Sequence, residues 1–318
     1  MPSTWRRAVA IGLCFVSTLG AEEKSGSGKT TYCRFQSGET VAYGVVEGDK
    51  VRQLDGDLFH SPKATQTTFL LKDVKFLVPT EPKQVFAMAG NYQSHVGGDN
   101  ITTTITTITK LTTDPKTGKT SADSRTTTES ETAGSVPTKF QIPQPFLKTV
   151  SCLIPHGANI VLPRDAGRVD YEAEMVIVIG KEARKVPKDK AKEYIFGVTI
   201  GNDVSARVWQ KGDVQWWRAK GADTFGPCGP YLVTGLHYDD LRLQLRQNGE
   251  TKQDERTSRL IHDCAAMVSG ISQVCTLYPG DLIFTGTSGT TQAISAGDVI
   301  EVELEGVGVL SNKVVAEE

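Results

Sequence analysis

The sequence has few cysteines and no concentrated positive charge. Six of its 318 residues are cysteines, and its 35 lysines and arginines are balanced by 37 aspartates and glutamates, for a formal net charge of −2. Because no block of basic residues is present, nucleic acid is not expected as a partner. The cysteines show neither the spacing of a zinc site nor a disulfide framework, so we interpret them mostly as buried thiols, with a single disulfide of unassigned pairing as the alternative in an exported protein. With 38% hydrophobic residues, the composition favours a soluble metabolic enzyme with a sizeable core.

The sequence also lacks an apolar run long enough to span a bilayer. Its N-terminal apolar run, residues 8–19, follows two arginines and precedes the small residues Gly20 and Ala21. This layout is too short for a transmembrane helix and is typical of a secretory signal peptide. We therefore predict a signal peptide over residues 1–21, export to the periplasm or secretion, and no membrane association after its removal. The alternatives are an uncleaved anchor or a cytoplasmic enzyme with a misassigned start codon.

Between residues 30 and 80, short alternating segments are separated by turn residues. Residues 41–46 and 50–54 are two such segments, and each is followed by an acidic residue, a glycine and an aspartate. An alternation of period two predicts strands, and glycine next to aspartate predicts tight turns. We therefore expect a small N-terminal β module over residues 30–80, in which no catalytic chemistry is visible.

Two glutamates lie at alternate positions directly before an apolar stretch. Glu172 and Glu174 precede residues 175–180, which are apolar. Alternate side chains of a strand point to the same face, so the two carboxylates lie close, repel each other and lose hydration. A bound divalent cation is the commonest remedy. A solvated edge strand would carry the same pair, but residues that are apolar on both faces favour a central strand.

A third carboxylate, Asp203, follows the next apolar run after one helical connection. Three carboxylates form an all-oxygen ligand set, which favours Mg²⁺, Mn²⁺ or Ca²⁺ over Zn²⁺. Such a set leaves coordination positions open for water or for oxygen atoms of a substrate. We therefore expect Glu172, Glu174 and Asp203 to bind Mg²⁺, with Mn²⁺ or Ca²⁺ as alternatives.

One of only five histidines, His95, follows a predicted strand in a polar loop. An imidazole with a pKa of about 6.5 can both take and give a proton at physiological pH. His95 is therefore the candidate general base. A surface histidine without a catalytic role would show the same local pattern.

Several ordered motifs resemble the fumarylacetoacetate hydrolase superfamily. They lie at residues 170–210, 218–227, 282–287 and 297–308, and the resemblance extends over about residues 85–315 apart from one insertion. It implies a mixed β, α+β fold in which a rolled β-sheet forms a catalytic domain over residues 85–318. It also implies a homodimer with a Mg²⁺ site that handles 2-oxo acids or β-dicarbonyl compounds. The fold and the family do not determine which reaction of such substrates the protein catalyses.

The resemblance assigns further residues to the site. His95 and Tyr92 lie in a segment similar to the family's N-Y-x-x-H motif, and Tyr92 is expected at the substrate. Lys220 matches the family's site lysine, whose charge can stabilise a developing enolate. The other substrate-binding residues that the resemblance implies are Arg207, whose guanidinium can bind a carboxylate at two points, Gln210 and Thr287. A surface helix face would explain Arg207 and Gln210 equally well.

The chain departs from the family pattern beside His95. Relatives commonly carry a glutamate three residues after this histidine, which orients it, whereas this chain has Gly98, followed by Asp99. Asp99 replaces the glutamate only if the loop geometry allows it, so the departure bears directly on water activation. Lys148 is a further open case, because it would serve equally as the partner of a carboxylate or as a pocket wall.

An insertion rich in threonine follows this loop at residues 99–138. Residues 101–113 alternate isoleucine and threonine, and residues 114–119 supply a turn before a second threonine-rich stretch. Low complexity alone would indicate disorder, but β-branched residues on both sides of a turn favour a long two-stranded ribbon. Because an isolated hairpin is marginal in water, we expect the ribbon to serve as a lid or as a dimer arm.

The residues together predict a metal-dependent enzyme acting on a small oxo acid. The cation would bind two substrate oxygens, Lys220 would stabilise the enolate, and His95 would move the proton. Hydrolysis of a C–C bond is the first expectation, and isomerisation or decarboxylation through the same enolate follows. The alternatives are a ureidoglycolate lyase-like activity and a non-catalytic metal-binding member of the family.

Overall fold

A computed structural model of the chain describes residues 28–97, 102–131 and 135–318. The predicted signal peptide at residues 1–21 lies outside the described residues, as do Gly98 and Asp99. The described residues form strands that we name in chain order: β1 Thr30–Ser37, β2 Thr40–Glu47, β3 Lys50–Asp55, β4 Lys63–Leu70, β5 Lys75–Phe76, β6 Val85–Met88, β7 Thr102–Thr113, β8 Thr120–Glu131, β9 Pro145–Lys148, β10 Leu153–Ile154, β11 Ile160–Leu162, β12 Val169–Asp170, β13 Ala173–Ile179, β14 Ile195–Asn202, β15 Ser205–Ala206, β16 Gly226–Pro227, β17 Tyr231–Thr234, β18 Arg242–Gln247, β19 Glu250–Arg256, β20 Leu282–Phe284, β21 Val299–Leu304 and β22 Gly308–Ala316.

Helices are short throughout the described residues. The α-helices are α1 Gln93–Val96, α2 Arg207–Gly212, α3 Trp217–Gly221 and α4 Cys264–Ser272. The 3₁₀ helices are Leu71–Asp73, Thr138–Phe140, Val150–Cys152, Lys188–Tyr194, Tyr238–Asp240 and Thr257–Arg259. Among the described residues, no helix is both long enough and apolar enough to cross a lipid bilayer.

The largest sheet has eleven strands, with β13 near its middle. Its strand order is β4, β3, β2, β1, β17, β14, β13, β20, β6 and β9, and β5 pairs with β1 off this path. All seven residues of β13 are buried, since β14 and β20 flank it and both faces are covered. The structure confirms the predicted central strand and the mixed β fold with few helices.

The N-terminal strands continue the same sheet. β1 to β5 lie in the region predicted as the small β module, and β1 pairs antiparallel with β17 through Thr30–Thr234 and Cys33–Tyr231. Phe35 and Val51 pack with Cys33 in a separate apolar cluster between these strands. The module therefore has its own small core and shares its backbone hydrogen bonding with the larger sheet.

A second sheet of five strands covers one face of β13 and β14. Its order is β11, β22, β21, β18 and β19. Met175, Ile177 and Ile200 from the first sheet share one buried cluster with Leu245 and Val302 from the second. Burial of this much apolar surface is the main stabilising contribution to the fold. The packing holds the start of β13 and the end of β14 rigidly in the interior, where the carboxylates lie.

The threonine-rich insertion forms the predicted ribbon. β7 and β8 pair antiparallel along their whole length, from Thr102–Glu131 to Thr113–Thr120. The turn is closed by Asp114, whose amide donates to the carbonyl of Lys119 at 2.9 Å. In the described part of the chain, β7 and β8 pair only with each other. The predicted role of the ribbon as a lid or dimer arm stays a prediction.

Every cysteine among the described residues is a free thiol. Four are buried, and Cys275 is partly exposed. Burial raises the pKa of the Cys33 thiol to about 12, so this side chain is neutral and unreactive at physiological pH. The cysteines therefore contribute apolar packing, as the sequence predicts.

Candidate active site

The pairing of β13 with β14 brings the three predicted metal ligands together. Glu174 lies opposite Gly201 in this antiparallel pair, so Asp203, just after β14, lies beside Glu172, just before β13. The Asp203 amide donates to the Glu172 carbonyl at 2.9 Å. One oxygen atom from each of Glu172, Glu174 and Asp203 lies within 4.8 Å of the others, and all three residues are buried. The cluster is a candidate site for a divalent cation.

Two buried lysines lie against the carboxylates. The Lys220 Nζ donates to Glu172 Oε2 at 2.6 Å and to Asp203 Oδ2 at 2.7 Å. The Lys148 Nζ donates to Asp203 Oδ1 at 2.6 Å, to the Phe225 carbonyl at 3.1 Å and to the Lys220 carbonyl. Lys148 is therefore a partner of a carboxylate, and through a main-chain bond it also positions Lys220.

The charge around the three carboxylates is uneven. Burial raises the pKa of Glu172, but the charges of Lys220 and Arg207 outweigh burial and lower that pKa to about 2. Burial also raises the pKa of Glu174, and the charges of Asp203 and Glu172 raise it further, well above its ordinary value. Glu174 forms no ion pair within the part of the chain that the structure describes, whereas Glu172 and Asp203 do. A hard divalent cation would supply the positive charge that Glu174 lacks, so the residues present fit such an ion.

A glycine turn after β20 forms the next part of the site. Gly286 has φ +100, and its amide donates to Glu174 Oε2 at 2.7 Å. A Cβ at this position would lie 2.8 Å from the Asn91 Cβ, so only glycine fits both the backbone angle and the space. The same turn presents Thr287, whose hydroxyl accepts a hydrogen bond from the Gln253 side chain at 2.9 Å. The turn therefore orients one metal-ligand candidate and one cavity residue together.

His95 is held by this turn through a main-chain carbonyl. Its Nδ1 lies 2.7 Å from the Gly289 carbonyl oxygen, and the Gly289 amide donates to the Ser94 hydroxyl at 3.1 Å. Because a carbonyl oxygen only accepts, Nδ1 carries a hydrogen, and in the neutral form of the ring Nε2 is the acceptor. We assign this tautomer from the partner of the ring. The Gly289 carbonyl thus orients His95 in a chain that has glycine at position 98.

A cavity of about 350 Å³ lies beside the carboxylates, in the range of small-ligand sites. Of the residues predicted from the sequence, His95, Glu172, Gln210, Lys220 and Thr287 line it. The other lining residues are Met88, Ala89, Gly90, Val96, Pro137, Lys139, Phe140, Phe146 and Trp216. The cavity wall therefore combines charged and polar side chains with aromatic and aliphatic ones.

Arg207 lies behind the cavity rather than in its wall. Its Nη2 lies 2.7 Å from Glu172 Oε1 and donates to the Thr291 hydroxyl at 2.6 Å, and its Nε donates to Asp170 Oδ2 at 2.9 Å. Its Nη1 donates to Gln210 Oε1 at 2.8 Å. All three guanidinium nitrogens contact protein acceptors, and the predicted two-point contact with substrate stays a prediction. Arg207 thus positions Glu172 and Gln210.

Tyr92 also lies away from the cavity wall. Its side chain is fully buried, and its hydroxyl has no hydrogen-bond partner among the described residues. Glu174 raises the pKa of this hydroxyl in addition to the larger effect of burial, so the ring lies near the carboxylates. The structure places Tyr92 in the packing beneath the site, and its predicted contact with substrate stays a prediction.

Sequence reasoning missed three contributors to the site: Asp170, Gln253 and the Gly289 carbonyl. Asp170 accepts hydrogen bonds from Arg168, Arg207 and Thr291. The sequence did contain a signal for Asp170. Asp170 lies two residues before Glu172 and therefore continues the alternation of Glu172 with Glu174. A main-chain carbonyl has no signature in the sequence, and Gln253 lies on β19, far along the chain from any motif.

We expect Lys148→Met to lower the free energy of unfolding by about 3–5 kcal/mol, because it leaves a buried Asp203 oxygen and two carbonyl groups without their donor. Urea unfolding of the purified variant measures this loss. Lys313→Met is the matched control, since Lys313 is exposed on β22, and its effect should lie within about 0.5 kcal/mol of zero. Equal effects of the two substitutions would contradict the structural role of Lys148.

Two family profiles match the chain. Residues 118–315 match the fumarylacetoacetate (FAA) hydrolase C-terminal family, and residues 31–79 match the Rv2993c-like N-terminal family. The first match spans more than half of the chain and contains all three clustered carboxylates. The second begins at the second residue of β1 and extends past the end of β5.

Similar proteins cover almost the full length of the chain. Protein Rv2993c of Mycobacterium tuberculosis is 36% identical over 89% of this chain and 97% of its own length. The mitochondrial oxaloacetate tautomerase FAHD2A of Bos taurus is 30% identical, over 93% of this chain and 87% of its own length. The crystal structure of 2-hydroxyhepta-2,4-diene-1,7-dioate isomerase from Mycobacterium marinum is 34% identical, with a TM-score of 0.74, over 91% of this chain and 99% of that chain. The profile match, these likenesses and the buried carboxylate cluster show that the chain belongs to the fumarylacetoacetate hydrolase family.

Proposed function

We propose that this protein is a divalent-metal-dependent tautomerase or isomerase of 2-oxo acids, which moves a proton through an enolate. The observation that carries the proposal is the environment of His95, whose imidazole is held by a main-chain carbonyl on the wall of a cavity that Lys220 and Glu172 also line. The relatives named as an oxaloacetate tautomerase and a dienedioate isomerase support the same reaction class.

Glu172, Glu174 and Asp203 are the residues that would hold the cation. When bound there, the cation supplies Lewis-acid polarisation of the substrate's oxo group. Mg²⁺ is the first expectation and Mn²⁺ the second, because the ligands are all carboxylate oxygens.

His95 takes the proton in this proposal. The Nε2 lone pair accepts a proton from the carbon next to the oxo group, the C–H electron pair becomes the C=C bond of the enolate, and the carbonyl electrons move onto oxygen. The same imidazole then returns the proton to oxygen, or to a different carbon of a conjugated substrate. Atoms and charge balance without a co-reactant.

Lys220, Gln210 and Thr287 contribute polar groups to the cavity wall. The Lys220 ammonium, held between Glu172 and Asp203, stabilises negative charge that develops on the enolate oxygen. The Gln210 side chain and the Thr287 hydroxyl are positioned to bind the oxo and carboxylate oxygens of the substrate. The buried ion pairs hold the ammonium in place before the substrate arrives, so little reorganisation accompanies the reaction.

The contact with Gly289 favours proton transfer over hydrolysis. A carboxylate next to an imidazole stabilises the imidazolium that forms when the base activates water. A carbonyl group orients the ring but carries no full negative charge, and among the described residues no carboxylate hydrogen-bonds to the His95 ring. His95 is therefore better suited to an acidic C–H beside a polarised oxo group than to water, and C–C hydrolysis becomes the second reaction to test.

The experiment that tests this proposal follows the reactions of oxaloacetate and of an acylpyruvate in parallel, each with purified protein and Mg²⁺. We expect faster enol–keto interconversion of oxaloacetate in the ultraviolet, catalysed deuterium uptake at C3 in D₂O by NMR, and no cleavage of the acylpyruvate. Chelation should abolish the activity, and Mg²⁺ or Mn²⁺ should restore it. Cleavage of the acylpyruvate without deuterium uptake would support the hydrolase instead, and no turnover with intact metal binding would support a non-catalytic protein.

A further inference from the structure

The wall of the cavity that follows the threonine-rich ribbon is anchored at Phe140. The Phe140 carbonyl lies 2.9 Å from the His262 Nε2, and the Phe140 ring packs against Gly90. Gly90 has φ +60, and a Cβ there would lie 2.5 Å from that ring. Two contacts from distant parts of the chain therefore hold the 3₁₀ helix Thr138–Phe140 against the cavity.

Lys139, in the middle of this 3₁₀ helix, brings a positive charge to the cavity wall. Its Nζ lies 4.9 Å from the centroid of the Phe140 ring and forms no ion pair with any described residue. The other lysine of the wall, Lys220, is neutralised by Glu172 and Asp203. Lys139 is thus the uncompensated lysine among the described residues of the wall.

Aromatic side chains share the cavity wall with Lys139. Phe140, Phe146 and Trp216 line the cavity with Lys139, and Glu172 and Lys220 line it too. A ligand that fills the cavity can therefore contact both lysines. An anionic group of such a ligand gains a charged partner at Lys139, and a neutral group gains none.

We propose that Lys139 determines specificity by binding the second carboxylate of a dicarboxylic 2-oxo acid. This inference rests on the proposed function, since it takes the first carboxylate and the oxo group to lie beside Lys220, Gln210 and Thr287. The ammonium donates charge-assisted hydrogen bonds to the distal carboxylate. Monocarboxylic 2-oxo acids bind without this contact.

The kinetic test compares Lys139→Met with Lys139→Arg on two substrates, oxaloacetate and its distal methyl ester. We expect Lys139→Met to raise the KM for oxaloacetate by about tenfold, the equivalent of one charge-assisted hydrogen bond. Its kcat, and both constants for the ester, should be unchanged. Lys139→Arg should retain most of the wild-type preference for oxaloacetate over the ester. Lys313→Met is the control for loss of a lysine elsewhere. Unchanged KM values, or equal changes for both substrates, would overturn the proposal.

A binding measurement separates this inference from the proposed reaction. Calorimetry with Mg²⁺ present would compare L-malate with 2-hydroxybutanoate, which share the 2-hydroxy acid group and differ in the distal carboxylate. We expect wild type to prefer malate and Lys139→Met to lose about tenfold of that preference. A lost preference without oxaloacetate turnover would keep the Lys139 site and overturn the reaction. Turnover of oxaloacetate together with an unchanged preference of Lys139→Met for malate would support the reaction and overturn the Lys139 site.

Discussion

A Glu174→Gln variant is expected to lose divalent-metal binding and, with it, activity. Glutamine keeps the size of the side chain and can still accept the Gly286 amide, but it removes the carboxylate that has no cation partner among the described residues. Removing a residue that merely orients a metal ligand costs about 10- to 100-fold in affinity, so loss of the ligand itself should cost at least about 100-fold. Calorimetric titration with Mg²⁺ measures the affinity, and tautomerisation of oxaloacetate measures the activity.

The same substitution should change how the metal-free protein responds to pH. The raised pKa of Glu174 means that the folded state holds this proton more tightly than the unfolded state. Its stabilising contribution is complete below the ordinary glutamate pKa of about 4.3 and is lost as pH rises through the raised value, by up to about 1.4 kcal/mol per pH unit. Glu174→Gln removes this loss because an amide mimics the protonated acid. Adding Mg²⁺ to the wild-type protein should raise its free energy of unfolding, and this increase should be largest at high pH.

Chemical unfolding from pH 5 to pH 9, with chelator or with Mg²⁺, tests this expectation. Glu182→Gln is the matched control, because Glu182 is exposed and belongs to no ion pair in the described part of the chain. It should retain both the metal effect and the pH dependence of wild type. Metal stabilisation of Glu174→Gln equal to that of wild type would refute the assignment of this glutamate as a ligand.

A His95→Asn variant should retain its fold and its metal affinity while kcat falls by about 10²- to 10⁴-fold. The asparagine side-chain amide can still donate to the Gly289 carbonyl, in place of Nδ1, but it offers no basic nitrogen where Nε2 lies. Rates of oxaloacetate tautomerisation and of deuterium uptake at C3 should fall together, because one group moves the proton in both.

His237→Asn is the control for this variant, since its ring is largely exposed and lies outside the cavity wall. Its kcat should equal that of wild type. If His95→Asn takes up deuterium at the wild-type rate, another group is the base, and the role assigned to His95 is wrong. A fall in Mg²⁺ affinity to match the fall in rate would instead indicate that His95 supports the metal cluster.

The local sequence pattern was enough to predict β13, the paired strands β7 and β8, and the carboxylates at the start of β13. Residues 175–179 are apolar on both faces, which placed β13 in the middle of a sheet, and the alternation of Glu172 with Glu174 placed both carboxylates on one side. β-branched residues on both sides of a turn likewise predicted the paired β7 and β8. These features follow from side-chain periods along a single segment.

The contact partners of each charged side chain could not be predicted from the local sequence pattern. Arg207 has the position of a substrate-binding arginine, but in the fold its donors are taken by Glu172 and other protein acceptors. Lys148 was equally compatible with a pocket wall until folding placed it against Asp203. Such choices depend on which distant groups arrive within about 3 Å of one another.

By itself, the sequence determined the family, the central strand, the three carboxylates and the histidine that can serve as a base. Only the tertiary structure decided that the Gly289 carbonyl orients His95, that Glu174 has no cation partner within the described residues, and that Lys139 lies on the cavity wall. The reason is physical. Strand periodicity and residue chemistry are local properties, whereas the charge balance of a buried site is set by groups that are far apart in the chain and by main-chain atoms that every residue shares.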